Sequence, residues 1–120
     1  MSSPHPDELV EVTLDQPRHL FFNLRALRAL DRAMGEAGIG RALELLRALN
    51  FATLERVLWA GMLHEEPTLT VSLVQKRLET FTDAGGNATD LYAAAYKALN
   101  GSRVFGPPEG EVKPEPVEAK

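Results

Sequence analysis

Apolar residues in this chain change their spacing once, near residue 23, and that change divides a short β segment from a helical body. Val10, Val12 and Leu14 alternate with Glu11 and Thr13, a period of two that places three apolar side chains on one face of a strand. Asp15-Gln16-Pro17 is a turn-forming trio, and Arg18-His19-Leu20-Phe21-Phe22 forms a second apolar and aromatic run. Together they predict a hairpin over residues 8–22. Two strands alone are marginal in water, so the hairpin needs helices to cover it.

From residue 24 the period becomes helical. Asn23 is a good N-cap before a helix over 24–34, in which Leu27, Leu30 and Met34 recur on one face and Gly35 stops the run. Gly38 and Gly40 then break the chain ahead of a shorter helix over 41–49, with Leu43, Leu46 and Leu49 expected inward and Asn50 ending it. Thr53 is expected to cap a third helix, 54–64, whose Leu54, Val57, Leu58, Gly61 and Met62 form one stripe while Trp59, Ala60 and Leu63 are apolar on other sides. A helix apolar almost all round is a buried, central one. Pro67 forbids its continuation. Thr70 caps a fourth helix over 71–82, with Leu69 and Val74 at the two positions of a hydrophobic staple and Val71, Val74, Leu78 and Phe81 facing in. Asp83 to Gly86 ends that helix. Ala88, Leu91, Tyr92, Ala95, Tyr96 and Leu99 then mark a fifth over 88–100, with Asn100-Gly101 expected as a left-handed C-cap.

The resulting class is α+β, mainly α: an N-terminal hairpin packed on four to five short helices. Its 120 residues suit one domain, expected over 8–106, because a chain of this length hides only roughly two thirds of its extended surface. Residues 1–7 read as a flexible leader. Residues 107–120 hold half of the eight prolines and four glutamates against two lysines, a composition that cannot bury enough apolar surface to order itself. They predict an extended, flexible tail.

Charge and chemistry narrow the function classes. No apolar run approaches the ~18 residues of a membrane span, and the first residues lack the basic and apolar stretches of a signal peptide, so a cytoplasmic protein without a membrane partner is expected. The absence of cysteine removes disulfides, thiolate metal sites and cysteine nucleophiles together. A net charge of -4 argues against a phosphate backbone as main partner. His64-Glu65-Glu66 is the nearest approach to a zinc motif, but Thr68 stands where a second histidine is required. His5, His19 and His64 lie on separate elements. Gly35, Gly38 and Gly40 lack the lysine and the preceding strand of a phosphate loop, and Ser72 and Ser102 have no base nearby. No catalytic residue, metal site or cofactor site is assigned, and the chain is not expected to be an enzyme. Arg25, Arg28 and Arg32 share one helix face; with Asp31, Glu36 and Glu44 interleaved, they read as a solvated face with intrahelical ion pairs or as contacts for an acidic partner.

The stretch Leu58-Trp59-Ala60-Gly61-Met62, followed by Glu66, Pro67, Leu69 and Thr70, resembles the tail assembly chaperones of gene transfer agents and long-tailed phages. In that family a Leu-Trp-Ala-Gly-Leu helix precedes an acidic residue, a proline and a Leu-Thr helix start. The likeness extends over roughly residues 8–81 and includes the hairpin and the Asn23-Leu-Arg-Ala-Leu start of the first helix. It implies a non-catalytic helper of tail morphogenesis that binds the long, helical tape measure protein until tail tube subunits polymerise around it. It also implies that a frameshift near the gene's end can append a second domain, for which a flexible terminus from Pro107 is a suitable junction.

Such a chaperone needs apolar grooves for partner helices and no bond-making chemistry. Phe21 and Phe22 on the hairpin, and Trp59 and Leu63 on the third helix, are the candidate partner-binding residues, with core packing as the competing reading of each. Exposed apolar patches would also favour a homo-oligomer. The alternative function is a small helix-turn-helix DNA-binding or regulatory protein using residues 54–81, with Gln75, Lys76 and Arg77 offered to a major groove.

Overall fold

The computed structural model describes residues 9–102, and the expected leader, His5 and the expected tail lie outside them. Strands β1 (Val10–Thr13) and β2 (Pro17–Leu20) pair antiparallel, with Val10 opposite Leu20 and Val12 opposite Arg18. The alternation in β1 has the expected effect: Val12 and Leu14 are buried, Val10 is half-buried, and Glu11 and Thr13 face water. β2 is shorter than the aromatic run suggests. It ends at Leu20 because the Phe21 backbone N–H leaves the hairpin and donates to the Gly61 carbonyl at 2.9 Å.

Five α-helices follow: α1 (Leu24–Ala33), α2 (Ala42–Arg47), α3 (Phe51–Met62), α4 (Val71–Asp83) and α5 (Ala88–Asn100). Asn23 caps α1 by accepting from the Ala26 N–H at 2.8 Å, and Thr70 caps α4 by accepting from the Leu73 N–H at 3.2 Å. Between α1 and α2 the chain makes two 3-10 turns, Gly35–Ala37 and Ile39–Arg41. Gly38 joins them at φ 62° and ψ -179°, a backbone conformation reserved for glycine.

α3 is the central element, as its all-round apolar character predicts. It packs against α1, α2, α4, α5 and β2, and buries Leu54, Val57, Leu58, Ala60 and Met62. Gly61 is where the hairpin meets it most closely. A Cβ there would lie 3.0 Å from Leu20 Cδ2 and 3.1 Å from Phe22 Cζ, so glycine sets the spacing. At the junction of α4, Leu69 and Val74 are both buried, as the staple requires.

Three local expectations are corrected. Asn50 closes α2, its backbone N–H donating to the Leu45 carbonyl at 3.0 Å, but it also does what was expected of Thr53: its side chain accepts from the Thr53 backbone N–H and from the Thr53 hydroxyl, both at 2.9 Å, and so caps α3 three residues earlier than expected. Thr53 is instead buried inside the helix. Leu49 is not inward but 64% exposed, because the chain turns left-handed there (φ 61°) to close α2. Gly101 is not left-handed either. At φ -80° its N–H donates to the Lys97 carbonyl at 3.0 Å, so helical bonding continues past Asn100.

Candidate functional site

An open groove of about 470 Å³ lies between α1 and the α3–α4 connection. Leu63 and Leu69, both buried, and the half-buried Trp59 form its apolar floor. Arg25, Arg28 and Arg32 form one wall, with Leu24, 61% exposed, at its end. The wall follows from helix geometry: positions separated by three and then four residues stack along one face of α1, over about 10 Å. The floor follows from the turn after α3, where the Glu65 and Glu66 N–H groups both donate to the Met62 carbonyl and the chain comes back past Pro67 to bring the Leu69 carbonyl to the indole.

Trp59 is fixed there by a hydrogen bond from its Nε1–H to the Leu69 carbonyl at 2.7 Å. Its one polar group is thereby used, and the rest of the indole is apolar surface. The intrahelical ion pairs expected on this face do not form. Asp31 accepts instead from the Ile39 backbone N–H at 2.8 Å, and among the described residues no carboxylate pairs with Arg25, Arg28 or Arg32. Glu44 does make such a pair, with Arg41, at 2.6 Å. The groove therefore combines a hydrophobic floor with three cations that no carboxylate among the described residues pairs, in a chain of net charge -4.

Of the four candidate binding residues, the structure brings Trp59 and Leu63 into this groove. Phe21 and Phe22 lie elsewhere. Phe22 is 5% exposed and belongs to the core with Leu20 and Gly61, whereas the half-buried Phe21 meets the His64 ring edge-on at 5.7 Å between centroids. The arginine wall is the part that inspection of aromatics alone passes over. Its signal is the 25, 28, 32 spacing.

A second polar cluster sits behind the groove and ties the hairpin to the α3–α4 turn. Arg77 donates from Nη1 and Nη2 to the two oxygens of Glu66 at 2.7 and 2.6 Å. Arg18 joins it, donating to Glu66 Oε1 at 3.1 Å and to both oxygens of Asp15 at 3.2 and 2.9 Å. The Arg77 hydrogen bonds hold the Glu66 carboxyl below its ordinary value against the opposing effect of burial, and Arg18 does the same for Asp15. Glu66 in turn raises Arg77. Glu65 accepts from the His19 backbone N–H at 3.4 Å and lies 3.3 Å from His19 Nδ1, a second link across the same boundary.

This cluster corrects the expectation that Arg77 is offered to a partner. Arg77 is only 8% exposed and committed to Glu66, so of the three residues expected to meet a major groove only Gln75 and Lys76 are exposed. Among the described residues no group of three or more His, Asp or Glu could hold a metal ion, and no helix is long and apolar enough to cross a membrane. In comparisons with family models, curated proteins and solved structures, nothing matches the chain.

Proposed function

We propose that the chain is a tail assembly chaperone of the phage and gene transfer agent type. It binds a helical segment of the tape measure protein, keeps it in solution, and releases it as tail tube subunits assemble. It works in the host cytoplasm, without catalysis, and is absent from the finished particle. The observation that carries the reading is the α1–α3 groove, whose floor includes Trp59 and whose form depends on Pro67 and Leu69, residues of the family-like stretch. The family-like acidic position, Glu66, supports the same reading. It clamps the hairpin to the turn that shapes the groove, so the resembling residues act together on one surface.

The test is co-expression with fragments of the very long helical reading frame expected downstream of the gene. Retention of a tape measure fragment through gentle purification is the expected result. Its loss from every fragment under those conditions would remove the proposal. The helix-turn-helix alternative loses one of its three expected contacts to the Glu66–Arg77 pair and gains none.

A further inference from the structure

The groove carries information about the chemistry of what it binds, and this inference rests on the reading above that a helix occupies it. We infer that it selects an amphipathic helix with carboxylates beside its apolar anchors, read by Arg25, Arg28 and Arg32. Three features support this occupant. First, the floor of Trp59, Leu63 and Leu69 has no unused indole donor, so it recognises apolar side chains by contact. Second, no strand lines the groove: one side is helix α1 and the other is the end of α3 with its connection to α4, so an extended peptide finds no sheet edge there to which it could add as a strand.

Third, the three guanidinium groups have no carboxylate partner among the described residues, and a partner helix lying along α1 matches their rise when its acidic residues are spaced by three and four. Cations on the wall of the groove favour that helix and disfavour a basic one, because a docked helix displaces water from between the charges and like charges brought together are costly. A nucleic-acid strand would use the arginines and could stack a base on Trp59, but it would gain little from Leu63 and Leu69, and the net charge of -4 opposes it at longer range.

Trp59 is the only tryptophan, so its emission reports occupancy of the groove directly. The full chain is titrated with two synthetic helical peptides that share leucine anchors at positions spaced by three and four. One has glutamates beside the anchors, the other lysines. The acidic peptide is expected to shift Trp59 emission and to bind about tenfold or more tightly than the basic one, with the difference shrinking at high salt. Arg28→Glu, a change at an exposed position, is expected to weaken the acidic peptide about tenfold or more. Lys97→Glu makes the same charge change outside the groove and is expected to have little effect.

Equal binding of the two peptides, or undiminished binding by Arg28→Glu, overturns the inference. So does a single-stranded oligonucleotide that displaces the acidic peptide with the same change in emission. A tape measure fragment retained equally by the native chain and by Arg28→Glu also overturns it, while leaving the chaperone reading in place. If the acidic peptide binds as described but every tape measure fragment is lost, the inference stands and the chaperone reading falls.

Discussion

Glu66 meets Arg77 with both carboxylate oxygens across the turn between α3 and α4, at 2.7 and 2.6 Å. The two partners are unequally placed. Arg77 is 8% exposed, whereas the Glu66 side chain keeps 28% of its surface in water. Glu66→Gln therefore leaves a nearly buried cation with only Asp15, 3.9 Å away, as a charged partner, and the expected loss of stability is about 2 kcal/mol, below the ~3–5 kcal/mol of a fully buried pair. Arg77→Met is expected to cost less, since Glu66 can turn to solvent and retains Arg18. Urea denaturation of both variants measures the difference; equal losses would contradict the asymmetry.

The same cluster sets an acid limit. Asp15 and Glu66 are held below their ordinary values in the folded chain, first by hydrogen bonds from Arg18 and Arg77 respectively. A carboxylate depressed on folding contributes stability above its unfolded value and loses it as the pH falls through the folded one. Stability should then be level from neutral pH to about 5 and decline below about 4, with a shallower decline in Glu66→Gln. Tyr92 acts at the other end. Burial, and secondarily the charge of Glu55, raises its phenol, so its contribution is lost above about pH 10. Denaturant midpoints across this range give the profile, and an unchanged acid slope in Glu66→Gln would reassign the effect.

Gly61 holds the closest approach between the hairpin and α3. An added methyl would meet Leu20 Cδ2 at 3.0 Å and Phe22 Cζ at 3.1 Å, with Leu20 Cβ at 3.3 Å behind them. Both side chains are buried and have little room to retreat. In a helix, alanine is otherwise better than glycine by about 1 kcal/mol. Gly61→Ala is nevertheless expected to destabilise, by about 1 kcal/mol net, because overpacking at a closed contact outweighs the gain in propensity. A rise in thermal midpoint would show that the hairpin shifts freely on α3.

How far the sequence discloses this architecture depends on the range of the forces involved. Asn23 and Thr70 act within a few residues, and the starts they set for α1 and α4 are readable from the sequence alone. Asn50 was ambiguous because asparagine suits both the end of one helix and the start of the next. It does both, its backbone N–H bonding back to Leu45 and its side chain accepting from Thr53. Arg77, beside Gln75 and Lys76, reads as a solvated residue; its burial depends on Glu66 and Asp15, which local periodicity does not connect to it. The groove is hidden for the same reason. The arginine spacing and the indole are each visible, but their juxtaposition spans α1 and α3.

Leu49 exposes the limit of periodicity most clearly, and it supplies a test with a sign. Leu43, Leu46 and Leu49 continue a helical spacing, yet the chain has already left the helix. The Leu49 N–H donates to the Leu46 carbonyl and the Asn50 N–H to the Leu45 carbonyl, both at 3.0 Å, the paired bonds of a Schellman ending. α4 closes identically, with Gly85 donating to Thr82 at 3.0 Å and Gly86 to Phe81 at 2.9 Å. Gly85 occupies the left-handed position there at φ 94°, where α2 places Leu49 at φ 61°. A side chain in that conformation costs about 1 kcal/mol or more, and Leu49 recovers little by burial. Leu49→Gly should therefore stabilise by roughly 0.5–1 kcal/mol, the relief of strain exceeding glycine's larger unfolded-state entropy, while Gly85→Leu should destabilise by about 1 kcal/mol. Opposite shifts in urea midpoint at unchanged slope are the expected result. Destabilisation by both would mean that the Leu49 side chain makes a contribution its exposure does not reveal.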